Sequence, residues 1–340
     1  MRAGRGPTLK ALARRAGVSP ATVSRVLNHH PAVSEATRRR VLRRLGLGSP
    51  APAGPAILRR RRTGTLGLIV PDITNPFYAE TAKIIIDLCQ GRGYHVILCN
   101  SANLPALHDK QIELLRYRRV DGIVFGSVLL DDPTVEALVA SGYPCLQYNR
   151  RLRSRVGNYV VADNVRAAEL VTSHLIGLGH RRIGFITGSL QTSTAFERFA
   201  GYRAALEAAG IALDPHLVVD GRYEARAALQ GAETLLKRPD RPTALVASSD
   251  VMALSILQAA GEQGLAVPGD LAVAGIDDIE IAAHHNLQLT TVAQHAARMA
   301  ELAATWILEI VQDPARFARE PYQTEIRPTL MIRRTCGAVP

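Results

Sequence analysis

The stretch TLKALARRAGVSPATVSRVLN, residues 8–28, predicts two short helices separated by a tight turn. Thr8 can cap the first helix, whose apolar residues recur at the spacing of one helical face. Gly17 is placed to end that helix, because glycine readily adopts the left-handed conformation found just past many helix C-termini. Ser19 can cap the second helix, and Pro20 fits its first turn, where no backbone hydrogen bond is lost.

Helix, glycine turn and helix is the arrangement of a helix-turn-helix, whose second helix enters the major groove of DNA with its first residues toward base edges. Arg25 can donate two hydrogen bonds to a guanine, and Pro20 and Ala21 suit a thymine methyl group. Other polar side chains are candidates to contact phosphates or to cap these helices: Thr8, Ser19, Thr22, Ser24, Asn28, His29 and Arg38. The pattern predicts a DNA-binding surface on the second helix.

Positive charge is concentrated in the N-terminal part of the chain. Residues 1–62 contain 14 arginines and Lys10 against one acid, Glu35, a net charge of +14, whereas the whole chain carries +11. A basic module on a nearly neutral body favours a polyanionic partner, and a solvated basic tail is the alternative. Because the charges are interleaved with apolar residues at helical spacing, we expect a folded module that binds double-stranded DNA.

The remaining sequence predicts a different architecture. Residues 46–56, GLGSPAPAGPA, are typical of a linker. From residue 65 onward, strand-like runs alternate with segments of helical period: LGLIV (66–70), HVILCN (95–100), DGIVF (121–125), YPCLQY (143–148), YVVADN (159–164), RIGFITG (182–188), TALVASSD (243–250) and LAVAGIDD (271–278). Such alternation predicts parallel sheets covered on both faces, and its length predicts two similar α/β lobes.

Polar residues follow many of these predicted strands: Asp72, Asn100, Asn149, Asp163, Ser248, Ser249, Asp250, Asp277 and Asp278. Since ligands bind outside the carboxyl ends of parallel strands, we expect a polar cleft there. The residues show no metal-ligand spacing, no nucleophile–base pair and no phosphate-binding glycine loop, so we expect neither an enzyme nor a metal or cofactor. The four cysteines are expected to be free thiols.

The location of the protein is also predicted. No apolar run reaches the roughly 18 residues of a membrane helix, and the basic N-terminus lacks an apolar segment behind it. We therefore expect a cytoplasmic protein with no membrane association.

The chain resembles the lactose-repressor/galactose-repressor (LacI/GalR) family of bacterial transcription regulators. The likeness is carried by TLKALARRAGVSPATVSRVLN and VSEATRRRVL near the N-terminus, and by GLIVPDITNPFYAE, RRVDGIVF, VVADNVRAAELVTSHLIGLGHRRIGFITG and RPTALVASSDVMALSILQAAG in the body. It implies an N-terminal all-α helix-turn-helix domain and a periplasmic-binding-protein-like α/β core of two doubly wound parallel-sheet lobes joined by three crossovers. It also implies a homodimer that reads a pseudopalindromic operator and holds a small effector between the lobes.

The resemblance implies these domain boundaries: a helix-turn-helix domain over 1–48, a hinge over 49–64 and an effector-binding and dimerisation core over 65–340. Within the core, the first lobe is expected over about 65–162 and 293–325, and the second over about 163–292 and 326–340. No heptad segment follows, so we expect a dimer rather than a tetramer.

The resemblance also assigns individual residues. Pro20, Ala21 and Arg25 match base-reading positions, and Leu58 matches the hinge leucine that inserts into the minor groove. The expected effector-binding residues are Phe77, Asn149, Arg150, Arg198, Tyr223, Ser249, Asp277 and Gln294. Asp277 can accept hydrogen bonds from hydroxyls, Arg198 can donate to a hydroxyl or carboxylate, and the two aromatic rings can stack on a sugar face.

Two features depart from the family pattern. Three prolines and several glycines in the hinge oppose the helix that would carry Leu58. Asn149 stands where an aspartate is frequent, and with Arg150 and Arg198 it favours a sugar acid or phosphosugar over a neutral sugar. The predicted function is a ligand-responsive repressor, and the alternative is a solute-binding protein of a transporter with the same core.

Overall fold

A computed structural model describes residues 9–27, 33–34, 37, 40–41, 44–45 and 62–337. The chain divides into two compact units, Met1–Arg62 and Thr63–Pro340, here called the head and the body. Five of the predicted DNA-binding residues lie outside the described residues: Thr8, Asn28, His29, Arg38 and Leu58. Most of the predicted hinge lies outside them too.

The head contains α1 (Leu9–Ala16) and α2 (Pro20–Leu27). Gly17 lies between them with a φ of 66°, in the left-handed region where a side chain would be strained. The backbone N–H of Thr22 donates to Ser19 Oγ at 3.1 Å, so Ser19 caps α2. Sequence and local structure therefore agree on where α1 ends and α2 begins.

Apolar side chains from both helices form a small core in the head. Its buried members are Leu12, Ala13, Ala16, Val23, Val26, Val41 and Leu45. Because Val23 and Val26 are three residues apart on α2, one face of that helix packs inward and the opposite face is left for solvent or a partner.

The first lobe of the body is built on a six-stranded parallel sheet with the order β11-β5-β4-β3-β1-β2. Its strands are β1 (Thr65–Val70), β2 (His95–Asn100), β3 (Gly122–Phe125), β4 (Cys145–Tyr148), β5 (Asn158–Ala162) and β11 (Gln323–Ile326). Its helices are α3 (Pro76–Gln90), α4 (Pro105–Tyr117), α5 (Pro133–Ala140), α10 (Ala296–Gln312) and α11 (Pro314–Arg319).

The second lobe is built on a four-stranded parallel sheet with the order β7-β6-β8-β9. Its strands are β6 (Ile183–Thr187), β7 (Val218–Asp220), β8 (Ala244–Ala247) and β9 (Ala272–Ala274), and its helices are α6 (Asn164–Gly177), α7 (Ser193–Ala208), α8 (Ala225–Leu236) and α9 (Asp250–Glu262). A separate antiparallel pair joins β10 (Thr291–Ala293) to β12 (Thr329–Met331). The predicted fold class, a helix-turn-helix plus a parallel-sheet α/β core, is confirmed.

The central strands of the first lobe are covered on both faces. Leu66 and Leu68 of β1 share a buried cluster with Ile85 of α3, whereas Ile69 shares another with Ile112 of α4. Full burial of each such side chain contributes roughly 1.5–3 kcal/mol. This two-sided burial explains why β1 reads as a continuous apolar run rather than an alternating one.

Three connections carry the chain between the lobes. They lie between β5 and α6, between β10 and α10, and between β11 and β12. After the second connection, α10 returns to the first lobe and packs against α3 and strands β3, β4 and β5. The carboxyl ends of both sheets therefore meet at a cleft between the two lobes.

Several helices of the first lobe begin at a proline that follows a polar residue. Pro76 starts α3, and Asn75 Oδ1 accepts a hydrogen bond from the backbone N–H of Phe77 at 3.0 Å. Pro133 starts α5 in the same way, after Asp132. Proline costs nothing at this position because the first helical N–H has no partner in the helix. The cap at Asn75 fixes the start of α3 beside the cleft.

Candidate functional site

In the head, the exposed face of α2 carries the predicted base-reading side chains. Pro20, Ala21 and Arg25 are exposed, while Thr22 and Ser24 are partly buried beside the head core. An exposed arginine in the last turn of a short helix can reach a groove of DNA without leaving its own fold. The structure thus places these five residues on α2 and exposes three of them.

In the body, a cavity lies between the carboxyl ends of the two sheets, and we call it the first chamber. It has an empty volume of about 380 Å³, which includes space that is open to solvent. Its lining residues are Pro71, Asp72, Asn75, Phe77, Tyr78, Asn103, Asn149, Arg150, Thr194, Arg198, Tyr223, Ser249 and Asp277. Seven of the eight predicted effector-binding residues line it, and Gln294 does not.

Arg198 and Asp277 form the polar floor of the first chamber. The Arg198 side chain is 2% exposed, and its guanidinium lies 3.5 Å from Asp277 Oδ1. Its Nε donates to Asn164 Oδ1 at 2.9 Å, and a terminal nitrogen donates to the carbonyl oxygen of Ser248. Gln294 Nε2 donates to Asp277 Oδ1 at 2.6 Å. Gln294 therefore lies behind Asp277 and orients it, rather than lining the cavity.

Two buried carboxyl groups lie at this floor. Burial raises the pKa of both Asp250 and Asp277, and the charge of Asp277 raises that of Asp250 further. Arg198 opposes the rise at Asp277, whereas the hydroxyl of Thr291 and the backbone N–H of Ile279 oppose it at Asp250. Hydroxyl donors from a ligand would also oppose the rise in pKa, because hydrogen bonds to a carboxylate favour its charged form.

Aromatic rings form one wall of the first chamber. Phe77 meets Tyr78 edge-to-face, with ring centroids 5.1 Å apart, and stacks with Tyr148 at 6.5 Å. Asn149 Nδ2 donates to the hydroxyl oxygen of Tyr78 at 2.8 Å. Burial raises the pKa of Tyr78, so its phenol remains a neutral hydrogen-bonding group. Such a wall suits the apolar face of a sugar ring.

The opposite side of the first chamber holds Arg150 and Tyr223. The Arg150 guanidinium carbon lies 5.5 Å from the centroid of the Tyr223 ring. The Tyr223 hydroxyl donates to Thr194 Oγ1 at 3.0 Å. Arg150 belongs to the first lobe and Tyr223 to the second, so this cation–π contact crosses the cleft.

Four residues that line the first chamber have unusual backbone conformations. Asn103, Asn149, Tyr223 and Asp277 have φ values of 54°, 62°, 58° and 148°. Residues with side chains rarely adopt such values, and each instance costs on the order of 1–3 kcal/mol that the surrounding packing must offset. Their clustering at one cavity is typical of a binding site.

The structure adds lining residues that the sequence did not assign to the site: Pro71, Asn75, Tyr78, Asn103 and Thr194. Asp72 also lines the cavity and was expected at the cleft as a polar residue just after β1. Other strand-end residues serve local structure instead: Asp163 accepts from the backbone N–H of Arg166 to cap α6, and Asp278 pairs with Arg333 at 2.6 Å. A polar residue after a strand is thus a useful but incomplete signal.

In the part of the chain with described structure, no helix is long and apolar enough to cross a bilayer. The same residues contain no group of three or more histidine, cysteine, aspartate or glutamate side chains placed to hold a metal ion.

The chain matches two protein-family models. Residues 8–43 match the model described as bacterial regulatory proteins, lacI family, and residues 172–336 match that of a periplasmic binding protein-like domain.

Relatives match over nearly the whole chain. The ribose operon repressor of Haemophilus influenzae is 32% identical over 332 residues, which cover 96% of this chain and 98% of that protein. The transcriptional repressor PurR of Photobacterium profundum is 32% identical over 330 residues, with the same coverage. A solved complex of the transcriptional regulator CelR with cellobiose superposes with a TM-score of 0.71 at 31% identity, covering 97% of this chain and 99% of that one.

Proposed function

This chain belongs to the lacI family of bacterial regulatory proteins, and from that premise we propose that it is a repressor whose DNA binding responds to a small effector. The members matched here are transcriptional regulators, so the chain belongs with regulators and not with enzymes. Three points go beyond family membership: how DNA is read, which class of effector binds, and how effector binding is coupled to DNA binding.

One observation carries the DNA-binding proposal: the exposed face of α2 lies on a head with a net charge of +14. The charge supplies affinity for phosphates without sequence choice, whereas Arg25, Pro20 and Ala21 supply contacts to base edges. We propose that two copies of the chain present two such helices to the two half-sites of a pseudopalindromic operator. The protein would then act in the cytoplasm, where the chromosome lies.

The first chamber supports a sugar or sugar acid as the effector. The aromatic wall can hold the apolar face of a sugar ring, and the buried carboxylate and the buried arginine can hold its hydroxyls. One relative is named for the ribose operon, and the CelR structure contains cellobiose. These names concern other proteins, and they support the same ligand class for this cleft.

We propose that coupling works through the setting of the two lobes. Contacts cross the cleft in the body: the backbone N–H of Leu130 donates to the carbonyl oxygen of Gln191 at 2.8 Å, and Arg151 pairs with Glu197 at 2.6 Å. An effector that favours one lobe setting and an operator that favours another oppose each other by linkage. A coupling free energy of about 1–3 kcal/mol is typical.

The alternative, a solute-binding protein, would use the body alone. It leaves the basic head without a role, and the matched repressors extend over both units of this chain. The regulator proposal is therefore preferred.

The test is selection of DNA from a random duplex library by the full-length chain, followed by affinity measurements with and without sugars. We expect enrichment of a pseudopalindrome, an affinity that falls steeply with salt, and a change of about 5- to 150-fold when the effector is added. Arg25→Gln should relax the enrichment at one base position of each half-site, and Arg226→Gln, which changes an exposed arginine on the body, should leave the enrichment unchanged. Sugar binding without any sequence-selective DNA binding would favour the solute-binding alternative.

A further inference from the structure

We infer that the effector carries an anionic group and that Arg150 binds this group at the inner end of the first chamber. The inference rests on the proposed function, because it concerns the ligand of the same cleft. The sequence already favours a sugar acid or phosphosugar; the inference goes further by assigning where its carboxylate or phosphate lies and which arginine binds it.

Three buried arginines near the cleft differ in how their charge is compensated. Arg151 pairs with Glu197 at 2.6 Å, and Arg198 lies 3.5 Å from Asp277. Arg150 is as buried as Arg151, at 4% exposure, yet among residues 62–337 no carboxylate oxygen lies within 4 Å of its guanidinium. Arg150 is thus the buried cation of this group without a countercharge.

The contacts of Arg150 are all with neutral groups. Both terminal nitrogens donate to the single oxygen Asn103 Oδ1, at 3.3 and 3.2 Å, and Nε has no hydrogen-bond partner. The Tyr223 ring lies on one face of the guanidinium. Leaving a buried charge unpaired is costly, and a buried donor without an acceptor adds to that cost. A bound anion would remove both costs at once, since it brings a countercharge and additional acceptor oxygens.

A second cavity, the second chamber, adjoins the first at Arg150. It has an empty volume of about 450 Å³, and the two cavities share Asn103, Arg150 and Tyr223. The second chamber is also lined by the guanidinium-bearing Arg222 and by hydroxyls that include Ser101 and Thr192. No carboxylate from the described part of the chain lines it.

The two chambers therefore differ in charge. Asp72 and Asp277 line the first, where they can accept hydrogen bonds from hydroxyls, whereas Arg150 and Arg222 line the second; Glu224, which pairs with Arg222 at 3.6 Å, does not line it. A ligand with hydroxyls at one end and a negative charge at the other fits this pair of chambers, with its hydroxyls in the first and its charge toward the second. The ring would lie between Phe77 and Asp277, and the anionic group would point past Arg150.

The experiment uses the full-length chain and matched sets of probes in calorimetric titrations. Each set contains a neutral sugar, its uronic acid and its phosphate ester, as in glucose, glucuronate and glucose 6-phosphate, with equivalent sets for galactose and ribose. Inorganic phosphate is titrated separately as a probe of the anion position. We expect phosphate to bind, and the anionic member of at least one set to bind about tenfold or more tightly than its neutral counterpart.

Two arginine variants test which side chains produce the preference for anionic probes. Arg150→Gln should remove the preference for the anionic probe. Because Arg150 is buried and the variant could fail to fold, Arg222→Gln provides a second test at an exposed side chain. Arg226→Gln, which changes an exposed arginine that lines neither chamber, is its matched control. We expect Arg222→Gln to weaken phosphate binding and Arg226→Gln to leave it unchanged.

The outcomes separate the two proposals. Neutral sugars that bind as tightly as their anionic partners, phosphate that does not bind, or phosphate binding that neither arginine variant alters would each overturn the anionic assignment. If a neutral sugar then still changed operator affinity, the proposed function would stand without it. Preference for the acid over the phosphate ester, or the reverse, identifies the source of the negative charge.

Discussion

The head and the body both place an arginine at a candidate binding surface, but they hold it in opposite ways. Arg25 on α2 is exposed. Arg198 in the cleft is 2% exposed and is held by Asn164, the Ser248 carbonyl and Asp277. The exposed arginine can adjust to a charged surface that approaches it, whereas the buried arginine offers one fixed geometry.

This difference teaches how the two surfaces obtain selectivity. At the head, most of the affinity comes from many phosphate contacts and is screened by salt, so only a few side chains carry sequence choice. In the cleft, hydrogen-bonding groups are oriented before the ligand arrives and are removed from water, so each carries a large share of the binding free energy. Removal of one group should therefore cost more in the cleft than on the head.

Asp277→Ala is expected to have the largest effect. It removes a hydroxyl acceptor and leaves the guanidinium of Arg198 buried without its carboxylate, a change that typically costs about 3–5 kcal/mol. We expect loss of the effector response and a lower melting temperature, with basal operator binding retained. Titration of the sugar identified by screening, together with thermal unfolding, measures both. Asp109→Ala, an exposed carboxylate outside both chambers, is the control, and an unchanged effector dose response would remove Asp277 from the site.

Arg25→Ala is expected to cost roughly 1–3 kcal/mol of operator affinity and to relax base choice at one operator position. Affinity for a set of operators with single base changes measures this. Arg15→Ala removes an exposed arginine from α1 and should weaken all sequences alike. If Arg25→Ala also weakened every operator equally, Arg25 would contact phosphate only, and the head would read sequence by other residues.

The strands that could be predicted from the sequence are those that are buried on both faces. The continuous apolar runs of β1, β3 and β8 reflect burial on both faces, and this pattern survives in a single sequence. Strands β7 and β10 have three residues each, too few to establish a period, and the first two residues of β7 are only half-buried. They form because β6 and β12 offer free edges, which is a tertiary property.

The cleft was predictable only in part, for a related reason. Phe77 and Asp277 could be assigned through family resemblance, but Asn103 and Thr194 line the cavity only because β2 and α7 converge on it. The sequence also could not show which arginine of the cleft has a carboxylate partner. Arg150 and Arg198 are the same residue type in the sequence, and only the fold gives one of them a carboxylate partner.

The pH dependence of body stability provides a further contrast with the head. Burial raises the folded-state pKa of Asp250 above the value of about 3.9 in an unfolded chain. Its contribution to stability is therefore fully present below that unfolded value and is lost as pH rises through the raised pKa. One such group changes the free energy of unfolding by at most about 1.4 kcal/mol per pH unit.

Asp250→Asn tests the contribution of the Asp250 carboxyl to this pH dependence. The amide oxygen can accept from the backbone N–H of Ile279, and the amide nitrogen can donate to the Thr291 hydroxyl, so the local hydrogen bonds are kept. Denaturant titrations between pH 5 and 8 should show a difference between wild type and variant that grows in favour of the variant as pH rises. Contributions from groups that do not interact with Asp250 cancel in that difference, which reports Asp250 together with its neighbour Asp277. A difference independent of pH would contradict the raised pKa.

The smallest effect is expected at the cap of α2. Ser19→Ala removes the acceptor for the backbone N–H of Thr22 and should cost about 1 kcal/mol of helix stability. Because the head core has few buried side chains, this loss should open α2 measurably and weaken operator binding, while effector binding to the body stays the same. Hydrogen exchange of residues 20–27 measures the opening, and Ser19→Thr, which keeps a capping oxygen, should restore protection. If protection of α2 were unchanged in Ser19→Ala while operator affinity fell, Ser19 would act by contacting phosphate, and the head would depend less on helix order than its small core implies.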